Sequence, residues 1–165
     1  MRVEQLAAAK RNVRRPKVFV SYSHRDHAIL ERLLVHLRPL DRDLVIETWT
    51  DRKISYGSDW RHELQHAIED AEIAILLISA DFLASDFIMT EELPSLLERA
   101  ESNGARILPL ICKPCRFLRT PHLARFQAVN DPKNPLLSME ETEREAILTE
   151  VAEIVEDACQ NTNVA

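Results

Sequence analysis

Apolar and polar residues along this chain change rhythm in a regular alternation. Lys17–Ser21 (KVFVS) is short, β-branched and aromatic, predicts a strand, and runs into Tyr22-Ser23-His24. From Asp26 onward, Ile29, Leu30, Leu33 and Leu37 recur at three- and four-residue spacing, which predicts a helix closed by Pro39. Residues 44–49 predict a second strand. A polar loop over residues 51–57 then leads to Ser58, a suitable cap for a helix with Trp60, Leu64, Ala67, Ile68 and Ala71 on one face. Residues 73–78 are apolar without interruption, as in a strand covered on both faces. The helical pattern after them carries Glu91 and Glu92 and stops at Asn103-Gly104. Residues 106–112 (RILPLIC) predict a fourth strand, in which Pro109 demands an edge-like geometry or a bulge. Residues 125–129 are a weaker fifth candidate within a proline-rich stretch. Ser138 and Glu141 read as a capping box that opens a last helix with Ile147, Val151, Ile154, Val155 and Ala158 on one face.

Strands alternating with helices imply an α/β fold, a flavodoxin-like open parallel sheet with helices on both faces; the strand order expected is 2-1-3-4-5. Residues 1–15 read as a polar lead-in, 16–159 as the domain and 160–165 as a tail.

Composition narrows the function. At 165 residues one domain is the economical reading, and a formal net charge of −6 argues against nucleic acid as the main partner. No apolar run is long enough to span a bilayer, and the first residues lack the apolar core of a signal peptide. Three cysteines, an odd number, suit a reducing cytoplasm better than a disulfide scaffold. The only glycines, Gly57 and Gly104, rule out both glycine-rich phosphate cradles.

Open parallel sheets bind ligands beyond the carboxyl ends of their strands, where the strand order reverses. That directs attention to Glu91 and Glu92, on the helix after the third strand. On a regular helix, Met89, Leu93, Leu96 and Ala100 set the apolar direction; Glu92 borders it and Glu91 points away. A carboxylate at such a border loses water, which raises its pKa. Two other motifs carry less. His62-Glu63-Leu64-Gln65-His66 matches HExxH, but both histidines fall opposite the apolar face of their helix, so a solvated face is expected and no metal centre. Cys112-Lys113-Pro114-Cys115 ends a strand and enters a proline-rich loop, without the helix N-terminus that activates a redox pair.

With these pieces placed, the chain resembles a Toll/interleukin receptor (TIR) domain over about residues 16–158. Val18-Phe19-Val20-Ser21-Tyr22-Ser23 resembles the family's first box. Asp51, Arg52, Ile54, Gly57 and Trp60 resemble the loop after the second strand and the helix that follows. Ser79, Phe82, Ser85, Asp86, Phe87 and Glu92-Leu93 resemble the third-strand exit and the helix bearing the family's glutamate. Phe87 stands where an aromatic residue, often Trp, commonly sits, and Tyr56 replaces the proline of the usual Pro-Gly.

The resemblance implies cleavage of NAD⁺ between nicotinamide and ribose. NAD⁺ is then the substrate and no cofactor is expected. Glu92, five positions after Phe87, is implied as the catalytic carboxylate, with Glu91 as its competitor because some members place the acid four positions after that aromatic residue. Tyr22, Ser23, Ile54, Gly57 and Phe87 are implied to bind substrate. Other members of the family are adaptors without catalysis, so a signalling module that only assembles is the alternative. Self-association or pairing with other TIR domains, through the loop over residues 51–57, is implied in either case, with no nucleic acid and no membrane as partner. The chemistry suits one carboxylate: nicotinamide is already cationic and leaves neutral, so no general acid is needed, unlike an ordinary glycosidase. A fixed anion beside the developing oxocarbenium ion suffices.

Overall fold

The computed structural model describes residues 15–51, 57 and 59–163. Most of the expected lead-in, Ser58 and Ile54 lie outside the described residues. Four parallel strands, β1 (Lys17–Ser21), β2 (Glu47–Trp49), β3 (Ala71–Ile78) and β4 (Arg106–Ile111), form one sheet in the order β2-β1-β3-β4. The helices are α1 (His27–Arg42), α2 (Trp60–Asp70), the short α3 (Ala80–Ala84), α4 (Leu93–Asn103), the short α5 (Pro121–Ala124) and α6 (Glu141–Asn163).

Side chains alternate across the sheet, and each face has its own core. Val18, Val20, Ile73, Ile75, Leu77, Leu108 and Leu110 pack against Leu30, Leu33 and Leu37 of α1 and Leu148, Val151 and Val155 of α6. Phe19, Ala74, Leu76, Ile78, Ile107 and Ile111 pack against Leu64 and Ile68 of α2 and Leu93 and Leu96 of α4. The unbroken apolar run of β3 follows directly, because both its faces are covered. Phe19 also stacks on Trp49, with centroids 5.2 Å apart.

The structure departs from the sequence reading at four places. No fifth strand forms among the described residues. Residues 125–129 approach the outer edge of β4 but make one backbone hydrogen bond there, from Val129 N–H to Pro109 O at 2.9 Å. Asn130 then substitutes for a strand: its Oδ1 accepts from Ile111 N–H and its Nδ2 donates to Ile111 O, both at 2.9 Å. Cys112 N–H bonds back to Ile78 in β3, so the missing N–H of Pro109 faces that outer edge, where a proline is tolerated. A continuous ladder would lack that donor.

Second, α1 runs past Pro39 to Arg42, and Leu44 takes the left-handed φ of 62° at its end. A residue in that conformation ends the helix but cannot start a strand, and β2 shrinks to Glu47–Trp49. Third, the first cap of α2 is Asp59, whose side chain accepts from His62 N–H. Fourth, Ser138 sits in a 3₁₀ turn and α6 starts at Glu141 on the carbonyl of Glu140, so the expected capping box does not form.

One buried polar junction fastens the carboxyl ends of three strands. Asp26, fully buried just after β1, accepts from Ser79 Oγ at the exit of β3 and from Lys113 Nζ, 2.6 Å away, at the exit of β4. Ser79 Oγ in turn caps α3 by accepting from Phe82 N–H at 3.0 Å. Charging a carboxylate in such a place is tolerable only because an ammonium group and a hydroxyl meet it. Lys113→Met keeps the aliphatic stem and leaves Asp26 with Ser79 alone. The expected loss is about 3 kcal/mol, the low end for breaking a buried pair, since Lys113 stays 33 % exposed. Urea unfolding checks this, and adding Asp26→Asn to Lys113→Met should recover part of the loss.

Candidate active site

The strand order reverses between β1 and β3, and a cleft of about 570 Å³ opens there at the carboxyl ends. Its volume is that of a small-molecule site. Tyr22, Ser23 and His24 enter it from the exit of β1, Asp51 from the exit of β2, and Trp60 and Leu64 from α2. Ser85, Phe87, Ile88 and Glu92 close it from the segment after α3. Four of the expected site residues, Tyr22, Ser23, Phe87 and Glu92, are thus brought together. Gly57 does not line the cleft; it is an exposed turn residue at φ 78° with open space where a Cβ would project. Ile54 lies outside the described residues.

The two glutamates are separated by an irregular turn. Residues Ile88–Glu92 form a π-helical turn, closed by Leu93 N–H on Ile88 O. Pro94 comes next, and it can neither donate a helical hydrogen bond nor tolerate the carbonyl four residues back in a regular helix. The extra residue of a π turn accommodates it, and such turns recur at functional sites. Glu92 comes to rest only 8 % exposed, facing the cleft. Glu91 stays outside, 3.5 Å from Arg61. The ordering deduced from the helical wheel therefore holds, although the local helix is not regular.

Burial pushes the Glu92 carboxyl up to about 7; the nearby Ser21 hydroxyl pulls it down, and the negative charge of Asp51 pushes it further up. The Ser21 hydroxyl is buried and has no hydrogen-bond partner of ordinary geometry, so its hold on the carboxyl is loose. Among the described residues no lysine or arginine forms an ion pair with Glu92. Asp51 is held differently: Tyr22 Oη donates to its Oδ1 at 2.6 Å, and His24 Nε2 lies 3.3 Å from its Oδ2. The cleft thus contains two carboxylates in unlike settings, one desolvated and one bonded. Environment assigns unlike roles to like groups in this way.

Aromatic rings form the outer wall. Trp60 and Phe87 meet at 5.6 Å between centroids, tilted by 54°, and Arg61 lies over the Trp60 ring. Trp60 remains 43 % exposed, leaving apolar surface for a flat ligand. The role of Trp60, His24 and Asp51 as cleft walls depends on how the ends of β1, β2 and α2 converge, which no local pattern reveals.

Other candidate chemistry is absent from the cleft. His62 and His66 stand on the exposed side of α2, and no group of three or more His, Cys, Asp or Glu among the described residues is arranged around a metal. Cys112 is buried and Cys115 half-buried; burial raises both thiols, so neither is a ready thiolate. No helix among the described residues is long and apolar enough to cross a membrane.

Comparison with known proteins agrees with this architecture. The TIR domain family model matches residues 18–147. An uncharacterized protein of Sinorhizobium fredii (strain NBRC 101917 / NGR234), y4lF, is 36 % identical over 143 residues, covering 87 % of this chain but 43 % of its own length. The chain therefore spans less than half of that relative. The TIR domains in the activated Roq1 resistosome, which directly recognizes the pathogen effector XopQ, superpose with a TM-score of 0.52 at 20 % identity. That match covers 89 % of this chain and 96 % of the other; at that identity it shows the fold. The family match over most of the sheet and its helices places this chain in the TIR domain family.

Proposed function

We propose that this chain cleaves NAD⁺ at the nicotinamide–ribose bond, as a glycohydrolase or cyclase, with Glu92 as the catalytic carboxylate. The observation that carries this reading is the desolvated Glu92 carboxylate in a cleft with an aromatic wall. The nicotinamide ring is a flat cation; Trp60 and Phe87 offer it π surface, and Asp51 and Glu92 offer it negative charge. Cleavage moves that positive charge onto the ribose while nicotinamide leaves neutral. An ionised Glu92 beside the ribose stabilises the oxocarbenium ion, and in a dry site it does so more strongly than in water. Tyr22 and Ser23, from the opposite strand exit, orient the sugar. The protein works in the cytoplasm, and self-association or pairing with other TIR domains through the loop over residues 51–57 raises its activity.

Purified chain incubated with NAD⁺, at rising protein concentration and with a crowding agent, should release nicotinamide. Glu92→Gln keeps the shape and removes the anion, and turnover should fall on the order of 10²-fold or more. Glu91→Gln, on the exposed side, should change turnover only slightly. Turnover of the parent chain should rise as pH climbs through about 7, where Glu92 ionises. No release at any concentration rejects the enzymatic reading in favour of a module that only assembles.

A carboxylate so placed also has a cost in stability. The folded chain holds the Glu92 proton more tightly than the unfolded chain, so stability is fullest below about pH 4.5 and declines as pH rises through about 7. The shift from 4.5 to about 7 corresponds to about 3 kcal/mol. Glu92→Gln has nothing to ionise and should be the more stable protein at pH 8, by up to that amount, with the gap closing towards pH 4.5. Urea midpoints at the two pH values measure it. A variant less stable than its parent at pH 8 would show that stabilising partners hold the charged carboxylate.

Assembly has a separate test. Ile54→Asp should weaken the concentration dependence of activity and leave the thermal midpoint nearly unchanged. Activity that is flat across a wide concentration series in the parent chain would reject the loop's role.

A further inference from the structure

The HExxH stretch is left over once the cleft is accounted for, and it has a geometry of its own. His62 and His66, one helical turn apart on α2, project from its exposed side while Leu64 between them turns into the core. Their rings meet edge to face, with centroids 4.5 Å apart at 87°. The two Nε2 atoms are 3.1 Å apart. At that distance one nitrogen must carry a proton and the other must present its lone pair, since two lone pairs or two protons repel. The pair therefore holds one proton between two nitrogens, and a metal ion can take its place once the donor ring carries that proton on Nδ1 instead.

The spacing suits that exchange. Imidazole binds divalent transition metals at about 2.0–2.1 Å, so two imidazoles at an angle of 90–110° around one ion have nitrogens about 2.8–3.4 Å apart. The pair is already set at that bite, on a helix that holds both backbones rigid. We propose that His62 and His66 chelate one divalent transition-metal ion per chain, of the Zn²⁺, Ni²⁺ and Cu²⁺ class, with water in the remaining positions. Imidazole selects these ions over Mg²⁺ and Ca²⁺, which take oxygen ligands, and Cu²⁺ binds more tightly than Ni²⁺ or Zn²⁺. This is not the peptidase centre that HExxH denotes. No third protein ligand joins the two histidines among the described residues, and neither ring lines the cleft that holds Glu92. The ion bridges the first two turns of the helix whose first residue, Trp60, lines the cleft, so binding stabilises α2 in its folded position.

The test uses the full chain, freed of metal and of any polyhistidine tag, titrated separately with Cu²⁺, Ni²⁺, Zn²⁺ and Mg²⁺. Calorimetry should give one ion per chain for the first three, tightest for Cu²⁺, and none for Mg²⁺. The thermal midpoint should rise with each bound ion by ordinary linkage. His62→Ala and His66→Ala should each lower affinity tenfold or more, abolish the thermal shift, and leave the metal-free midpoint in place, since both side chains are exposed. Cys115→Ser should bind as the parent does. The proposal falls if no ion binds or if binding survives the double histidine variant. It also falls if binding depends on Cys115, or if one ion is held per two chains, which would put a second copy where water is expected.

Discussion

Everything in this molecule hangs from a strand that meets water on neither face. β3 is flanked by β1 and β4 within the sheet and covered above and below by separate apolar cores. Its neighbours run parallel to it, and right-handed helical crossovers between parallel strands are what place helices on both sides. Parallel strands in turn send every exit to the same end of the sheet. The cleft-lining groups are gathered there for that reason: Tyr22 and Ser23 after β1, Asp51 after β2, and Phe87 and Glu92 after β3. The order β2-β1-β3-β4 then splits the exits apart between β1 and β3, and the split is the cleft.

The same end of the sheet holds two buried or nearly buried acids with opposite treatment. Asp26 has an ammonium group and a hydroxyl within bonding distance, and it serves as a fastener for three strand exits. Among the described residues, Glu92 has only the loosely held Ser21 hydroxyl and the repulsion of Asp51. A fold that needs a carboxylate for cohesion surrounds it with donors, as it does at Asp26. Glu92 is left short of them, and its proton affinity rises as a result. The contrast within one molecule separates a carboxylate that holds structure from one that is left desolvated in the cleft.

Much of this was legible in the sequence where the signal is local. The six apolar residues of β3, the two helical stripes of α1 and α2, and the border position of Glu92 all follow from side-chain periodicity alone. Contacts across long separations were not legible: Asp26 meets residues 53 and 87 positions away. Single backbone events also escaped. A leucine at positive φ shortened β2, and a side chain, Asn130, took hydrogen bonds that a fifth strand would have made. The π turn that accommodates Pro94 is likewise not readable from the sequence.

The burial of Glu92 also bears on the choice between an enzyme and an association module. A surface that binds another domain works through exposed groups, and Glu92 offers almost none of itself to such a partner. Packing gives no reason for a carboxylate either: Ile88 and Leu93, its apolar neighbours along the chain, are buried, and a methionine or glutamine would fill the same space without the penalty of charge. The exposed Glu91 beside it, with Arg61 in reach, is what a surface glutamate on this segment looks like. A desolvated acid beside a π-helical turn and an aromatic wall makes physical sense when something positive is to be placed against it. In the proposed reaction, a nicotinamide cation and then the ribosyl cation it leaves behind would be two such charges in sequence at one site.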